Sequence, residues 1–170
     1  MKNLFLAEPN EKYQRTFENY AQAYRKINDA YYSNKYKKAL ENFQNYLKDL
    51  HDYFKGNSLS EGKVITSTFW LIDEEEVVGV VRIRHKEVEF AGHIGYDISP
   101  THRNKGYGFI ILKLALEECK KLGLEEVILT CNIGNIASKK IIEKNNGKLL
   151  GTIYDEEEDE SLYKYIIKST

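Results

Sequence analysis

One hexapeptide, Arg103-Asn104-Lys105-Gly106-Tyr107-Gly108, constrains this chain more than any other feature. It lies between a strand-like run, His93 to Ile98, and a helix-like run, Phe109 to Leu122. The first N–H groups of a helix have no partner inside the helix, and the macrodipole adds partial positive charge at that end. A glycine-rich turn opening a helix is therefore an anion site. Gly106 and Gly108 carry no side chain, so a phosphate can come close to the backbone. Arg103 and Lys105 add full charge. Pro100 favours an extended Ser99 and helps end the strand before the turn. These residues point to a ligand that bears a pyrophosphate.

Two familiar phosphate loops are excluded by spacing. No G-x-x-x-x-G-K-[ST] is present, and the glycines do not complete G-x-G-x-x-G with an acidic residue about 20 positions on. What remains is R-x-x-G-x-G between a strand and a helix. It is preceded by Gly92-His93-Ile94-Gly95-Tyr96-Asp97-Ile98-Ser99-Pro100. A core-like strand follows at Glu126 to Cys131, then Asn132-x-x-Asn135-x-x-Ser138 and a second helix, Ala137 to Lys144. That helix stops at Asn145-Asn146-Gly147, a C-cap signal, and a strand begins at Lys148. The hexapeptide resembles motif A of the GNAT N-acetyltransferase superfamily, and the order of elements resembles motifs A and B, over roughly Val64 to Lys168. The Gly79–His85 strand with its R-x-R-H and the G-H-I-G-Y strand are similar to a group of small bacterial acetyltransferases.

The chain has 170 residues and 42% hydrophobic content, which fits one domain, 1–170, with a sizeable core. A formal net charge of -1 gives no general field for nucleic acid or a membrane. Cys119 and Cys131 show no metal or redox spacing, the four His are not at ligand spacing, and no metal is expected. Met1 to Ala7 is too short for a signal peptide, and no run reaches the ~20 apolar residues of a membrane span. A cytoplasmic protein is expected.

The first 55 residues are rich in Tyr, Lys, Asn and Glu and predict two helices. One runs near Glu11 to Asp29, with Tyr13, Phe17, Tyr20, Tyr24 and Ile27 on one stripe. The other runs near Lys35 to Phe54, with Tyr36, Leu40, Phe43, Leu47, Leu50 and Phe54. Gly56-Asn57-Ser58 and Ser60-Glu61-Gly62 predict a loop. Thr66 to Ile72 and Val77 to His85 predict a hairpin across the acidic turn Asp73 to Glu76. Asp155 to Glu160 reads as a solvated hairpin loop before a closing strand, Leu162 to Lys168. The fold class is α/β: a GNAT-like mixed β-sheet flanked by helices, with two N-terminal helices.

The resemblance implies acetyl-CoA as cosubstrate, an amine acceptor, direct acyl transfer, and a homodimer as an option. Asn104, Lys105, Gly106, Tyr107 and Gly108 would hold the pyrophosphate through their N–H groups, with Arg103 beside it. Tyr96, Asp97 and Ile98 would offer backbone groups to pantetheine, and an N–H there would serve the oxyanion. The Asp97 side chain itself reads as structural. Asn135 would bind the pantetheine arm or a phosphate, with Asn132 and Ser138 close by. The cofactor would enter between splayed His93–Ile98 and Val127–Cys131 strands, with Gly95 suited to a bulge or a close backbone approach. Superfamily members commonly place a Tyr acid seven residues after this Asn; here that position is Ile142. His93 and Glu89 are the leading candidates for the base, with His85 and Glu87 behind them. The other readings are a non-catalytic acyl-CoA sensor and a nucleic-acid adaptor, the latter disfavoured by charge balance.

Overall fold

A computed structural model describes residues 3–57 and 59–169 of the protein. Met1, Lys2, Thr170 and Ser58 of the expected loop lie outside the described residues. The α/β class holds, and the strands divide into two sheets. The first has the order β1 (Leu4–Ala7), β2 (Thr66–Asp73), β3 (Glu76–Val88), β4 (Gly92–Ile98). The second has the order β5 (Glu126–Asn132), β7 (Glu160–Lys168), β6 (Lys148–Asp155). Every laddered pair among the described residues is antiparallel. β4 and β5 share no ladder, so the sheet is interrupted between them.

The predicted β2–β3 hairpin forms, turning at Glu74 and Glu75, which both take positive φ. β1 was not foreseen. Its four residues are too few to show a period, and it exists because Phe5 pairs with Ile72 at an open sheet edge. Helix α5 (Tyr107–Lys121) lies against one face of the first sheet. There Ile111, Leu112, Ala115 and Cys119 are buried against Val81, Ile83, Val127 and Leu129. Helix α6 (Ile136–Lys144) packs on α5. Contact is close because Gly108 has no Cβ; one built there would lie 2.5 Å from Ile141 Cδ1.

The N-terminal segment covers the opposite face with four helices where two were expected. They are α1 (Gln14–Lys26), α2 (Ala30–Lys35), α3 (Lys37–Glu41) and α4 (Phe43–Lys55). The second expected helix is broken at Tyr36 and at Asn42. Asn42 leaves the helical region (φ -152°, ψ 90°) and accepts from Asn45 N at 3.0 Å, so α4 starts afresh on a cap. Asp29 caps α2 in the same way through Tyr32 N. The aromatic stripe packs as predicted at Phe17, Tyr20, Tyr24, Tyr36 and Phe43, while Ile27 and Phe54 are exposed. Phe17 stacks on Trp70 with ring centroids 4.4 Å apart and planes 10° apart. No helix among the described residues is long and apolar enough to cross a membrane.

Candidate active site

The glycine turn takes the shape its sequence demands. Asn104 has φ +61° and Gly106 has φ +85°, ψ 1°, both left-handed. Gly106 is the N-cap of α5, and no side chain caps that end. The first bond to Gly106 O comes from Ile110 N, and the Gly108 and Phe109 amides make no backbone hydrogen bond among the described residues. A Cβ on Gly106 would meet nothing within 4 Å, so the turn opens outward. Residues Arg103 to Gly106 are all exposed. Arg103 folds back, with Nε 3.2 Å from Ile98 O and its guanidinium 5.8 Å from the centre of the Tyr24 ring. Tyr107 turns the other way: its side chain is buried and its hydroxyl bonds Asp73. The glycine at 108 is explained by helix packing against Ile141, and the one at 106 by backbone conformation.

β4 leads directly into this turn. It is laddered on one side only, to β3, so alternate backbone groups face away from that partner. At its start β4 is pressed against β5. A Cβ on Gly92 would fall 2.4 Å from Ile128 O, and Thr130 Oγ1 donates to Phe90 O at 2.7 Å. Close approach, expected of Gly95, is the work of Gly92. At the other end β4 meets the helix that follows β5: Tyr96 Oη and Ser138 Oγ on α6 are 3.1 Å apart. Burial pushes the Tyr96 hydroxyl up to about 12, so it remains a proton donor at neutral pH. Cys131 shares this corner; burial raises its thiol, and a bond to Ser138 opposes that.

After β5, Asn132 Oδ1 accepts from Gly134 N and its Nδ2 donates to Glu160, which shapes the turn into α6. Asn135 caps α6 by accepting from Ser138 N at 3.1 Å. Its amide nitrogen donates to no group among the described residues, and the residue is exposed. Ile142, where the superfamily acid would stand, is buried in the apolar core.

The match to known proteins follows this geometry. The family model "Acetyltransferase (GNAT) domain" matches residues 4–148. The chain belongs to the GNAT acetyltransferases. Among solved structures, a RimL ribosomal L7/L12 alpha-N-protein acetyltransferase in complex with coenzyme A aligns with TM-score 0.72 at 14% identity, over 97% of this chain and 93% of that one. The microcin C7 self-immunity acetyltransferase MccE, in complex with acetyl-CoA and AMP, aligns with TM-score 0.72 at 15% identity, over 97% and 92%. A ribosomal-protein-S5-alanine acetyltransferase from Vibrio fischeri aligns with TM-score 0.69 at 16% identity, over 98% and 92%. No curated protein matches the chain by sequence.

Within this GNAT domain the four base candidates are placed differently. His93 is buried, and its Nδ1 accepts from Ile128 N at 2.9 Å. The neutral ring then carries its proton on Nε2 and acts as a pin between β4 and β5. Burial lowers its pKa first, with Glu87 opposing and Arg84 reinforcing. His85 Nε2 contacts Ser67 Oγ at 2.7 Å, and burial lowers it too. Glu87 pairs with Lys164 at 2.9 Å. Glu89 sits exposed in the β3–β4 turn and makes no hydrogen bond or ion pair among the described residues.

The sequence reading missed what surrounds Asp97. Its buried carboxylate meets the hydroxyls of Tyr20 (2.7 Å), Tyr24 (2.9 Å) and Tyr36 (2.8 Å), and Arg82 Nη2 at 2.8 Å. Burial first, and then the Asp97 charge, raise the Tyr20 and Tyr36 hydroxyls well above their ordinary value. They stay protonated and donate. The main-chain oxygens of Asp97 and Ile98 also receive Tyr20 and Tyr24. The N-terminal helices thus fix the end of β4 that feeds the glycine turn.

Proposed function

We propose that the protein is an acetyl-CoA-dependent N-acetyltransferase that moves an acetyl group to a primary amine of a small molecule or peptide by direct attack. One observation carries the reading: an exposed, left-handed glycine turn opening a helix follows, after a 3-10 turn at Pro100–His102, a strand with one unladdered edge. The first binds a pyrophosphate, and the second binds an extended chain of amides. The structural neighbours solved with coenzyme A or acetyl-CoA support it. In this reading the N–H groups of Asn104 to Gly108 hold the pyrophosphate, with Arg103 swinging out to it and Lys105 adding charge. The free edge of β4 near Tyr96 takes the pantetheine amides, and an N–H between Tyr96 and Ile98 faces the developing oxyanion. Asn135 offers its amide nitrogen to the pantetheine arm. Asn132 acts by shaping the turn that presents Asn135.

The departing thiolate needs a proton, and Ile142 has none to give. The Tyr96 and Ser138 hydroxyls stand in contact at the corner where β4 and β5 part, and either can supply it. We assign this step to the pair. Of the base candidates Glu89 alone is unpaired among the described residues, but it lies in the turn before β4, more than ~13 Å along the strand from Tyr96, so the amine's proton leaves to solvent, while His93 positions the strands. Loss of both hydroxyls in Tyr96→Phe/Ser138→Ala is expected to lower kcat about 100-fold, with each single variant falling less than about tenfold because the remaining hydroxyl still supplies the proton. Acetyl-CoA affinity should stay within about threefold of wild type, since the phosphate contacts are untouched. A double variant with wild-type kcat would remove this assignment.

Calorimetric titration with acetyl-CoA, followed by free-thiol release over a panel of amines, tests the whole reading. Micromolar binding with thiol release is expected. Absence of binding would overturn it. The apolar Ile142 favours a second reading, a domain that binds acyl-CoA without turnover, and binding with no thiol release on any amine would support that one.

A further inference from the structure

A cavity of about 490 Å³ opens on the helix-covered face of the first sheet, between α2–α4 and strands β2 and β3. Its walls carry Lys35, Lys38, Lys63, Arg82 and Arg84, against one acid, Asp49. Asp49 is already paired with Lys38, and Arg82 is paired with Asp97. Lys35, Lys63 and Arg84 have no carboxylate partner among the described residues. Arg84 is half-buried, and Nη1 makes its one recorded hydrogen bond, to Ala91 O at 3.1 Å. Guanidinium groups 82 and 84 rise from β3 on the same side of the sheet, as alternation along a strand requires. They stand over Gly95 of β4, where a Cβ would lie 3.3 Å from Arg84 Nη2 and 3.9 Å from Arg82 Nε.

Arg84 is the partly desolvated cation here without a carboxylate, which is costly unless something negative joins it, and the exposed Lys35 and Lys63 stand at the rim. The protein's own electrostatics register the deficit. Burial, then Arg82, drive the Lys35 ammonium down to about 8, with Asp97 opposing. Burial, then Arg82, lower Arg84 too. The cavity is concave and of small-ligand size, which suits a compact anionic group better than an extended polymer. Two of its lining residues, Arg82 and Arg84, reach over Gly95 of β4, one residue from Tyr96.

We propose that this cavity is the acceptor pocket and that it binds an oxyanion, carboxylate or phosphate, carried by the acceptor amine, with Arg84, Lys35 and Lys63 as the specificity-determining groups. The proposal rests on the acetyltransferase reading and names its substrate class. Arginine forks bind both oxyanions in two-point fashion, so carboxylate and phosphate share one chemistry here.

The test uses the full chain with saturating acetyl-CoA and matched acceptors: Ser-initiated peptides with Asp and Glu or with Asn and Gln at the next positions, and phosphoethanolamine against ethanolamine. At least one anionic member should show kcat/KM about 30-fold above its neutral partner, the scale of one charge-assisted contact. Which arm responds distinguishes a peptide carboxylate from a small phosphate. Arg84→Met should erase the preference while the neutral acceptor and acetyl-CoA affinity change less than about threefold, and Arg84→Lys should restore part of it. Should Arg84→Met fail to fold, Lys63→Gln on the exposed loop is expected to weaken the preference severalfold. If no acceptor in the panel reacts, inorganic phosphate is titrated with coenzyme A saturating and ionic strength held with chloride. It should raise the Tm of wild type and not of Arg84→Met. Wild type that binds acetyl-CoA but prefers neutral or cationic amines, or that ignores phosphate in the second assay, overturns the anion pocket alone. Wild type that does not bind acetyl-CoA overturns the acetyltransferase reading, and the anion site is then judged on phosphate alone.

Discussion

Asp97→Ala is expected to destabilise the protein by about 3–5 kcal/mol, the cost of stranding a buried partner of an ion pair. For a chain of this size that is a fall in Tm of roughly 6–20 °C. The side chain is 3% exposed and meets three tyrosine hydroxyls and Arg82. Removing it leaves a guanidinium without its counter-charge and the Tyr36 hydroxyl without its acceptor, while Tyr20 and Tyr24 keep only the main-chain oxygens of residues 97 and 98. Asp97→Asn should lose nearly as much, because an amide keeps the shape but supplies no charge. A double variant, Arg82→Met with Asp97→Ala, should lose less than the sum of the singles by at least about 1.5 kcal/mol, since it removes the stranded cation. Thermal melts of wild type, Asp97→Ala, Asp97→Asn, Arg82→Met and the double variant decide this. An Asp97→Ala variant that melts with wild type would mean the carboxylate is not what holds the N-terminal helices to β4.

That cluster also marks the limit of what could be read in advance. Tyr20, Tyr24 and Tyr36 stood out on the helical stripes, and their burial followed from spacing alone. Their hydroxyls converge on a residue 61 to 77 positions away, and nothing local announces a contact of that range. The glycine turn was legible because its conformation is decided within six residues by backbone sterics and charge. The break at Asn42 had a local signal, a capping residue just before Phe43, which the longer apolar stripe outweighed. Arg82 and Arg84 were visible as an R-x-R alternation that puts both on one face. What could not be read was that helices would cover that face near Val80 and leave a cavity over Arg84. Gly92 and Gly95 illustrate the same point: each is a glycine in one strand, and only the neighbour it meets tells their tasks apart.

Gly106→Val is expected to weaken acetyl-CoA binding more than 100-fold while leaving the fold in place. The residue is left-handed at φ +85°, a conformation that costs a side-chain-bearing residue about 1–2 kcal/mol, and more for a β-branched one. The turn can escape that cost by rotating, because the position is exposed and a Cβ meets no neighbour within 4 Å. Rotation turns the amides away from their common focus. Losing two charge-assisted hydrogen bonds to phosphate at about 1.5 kcal/mol each gives the hundredfold loss. The same openness keeps the effect on stability to a few degrees in Tm. Gly108→Ala should behave in the opposite sense. Its Cβ would press on the tip of Ile141, which can swing aside, so a modest loss of stability is expected with near-normal acetyl-CoA affinity, because the amide stays in place. Calorimetry and thermal melting on the two variants separate these effects. Wild-type affinity in Gly106→Val would show that the anion is bound elsewhere, and the functional reading built on this turn would fall with it.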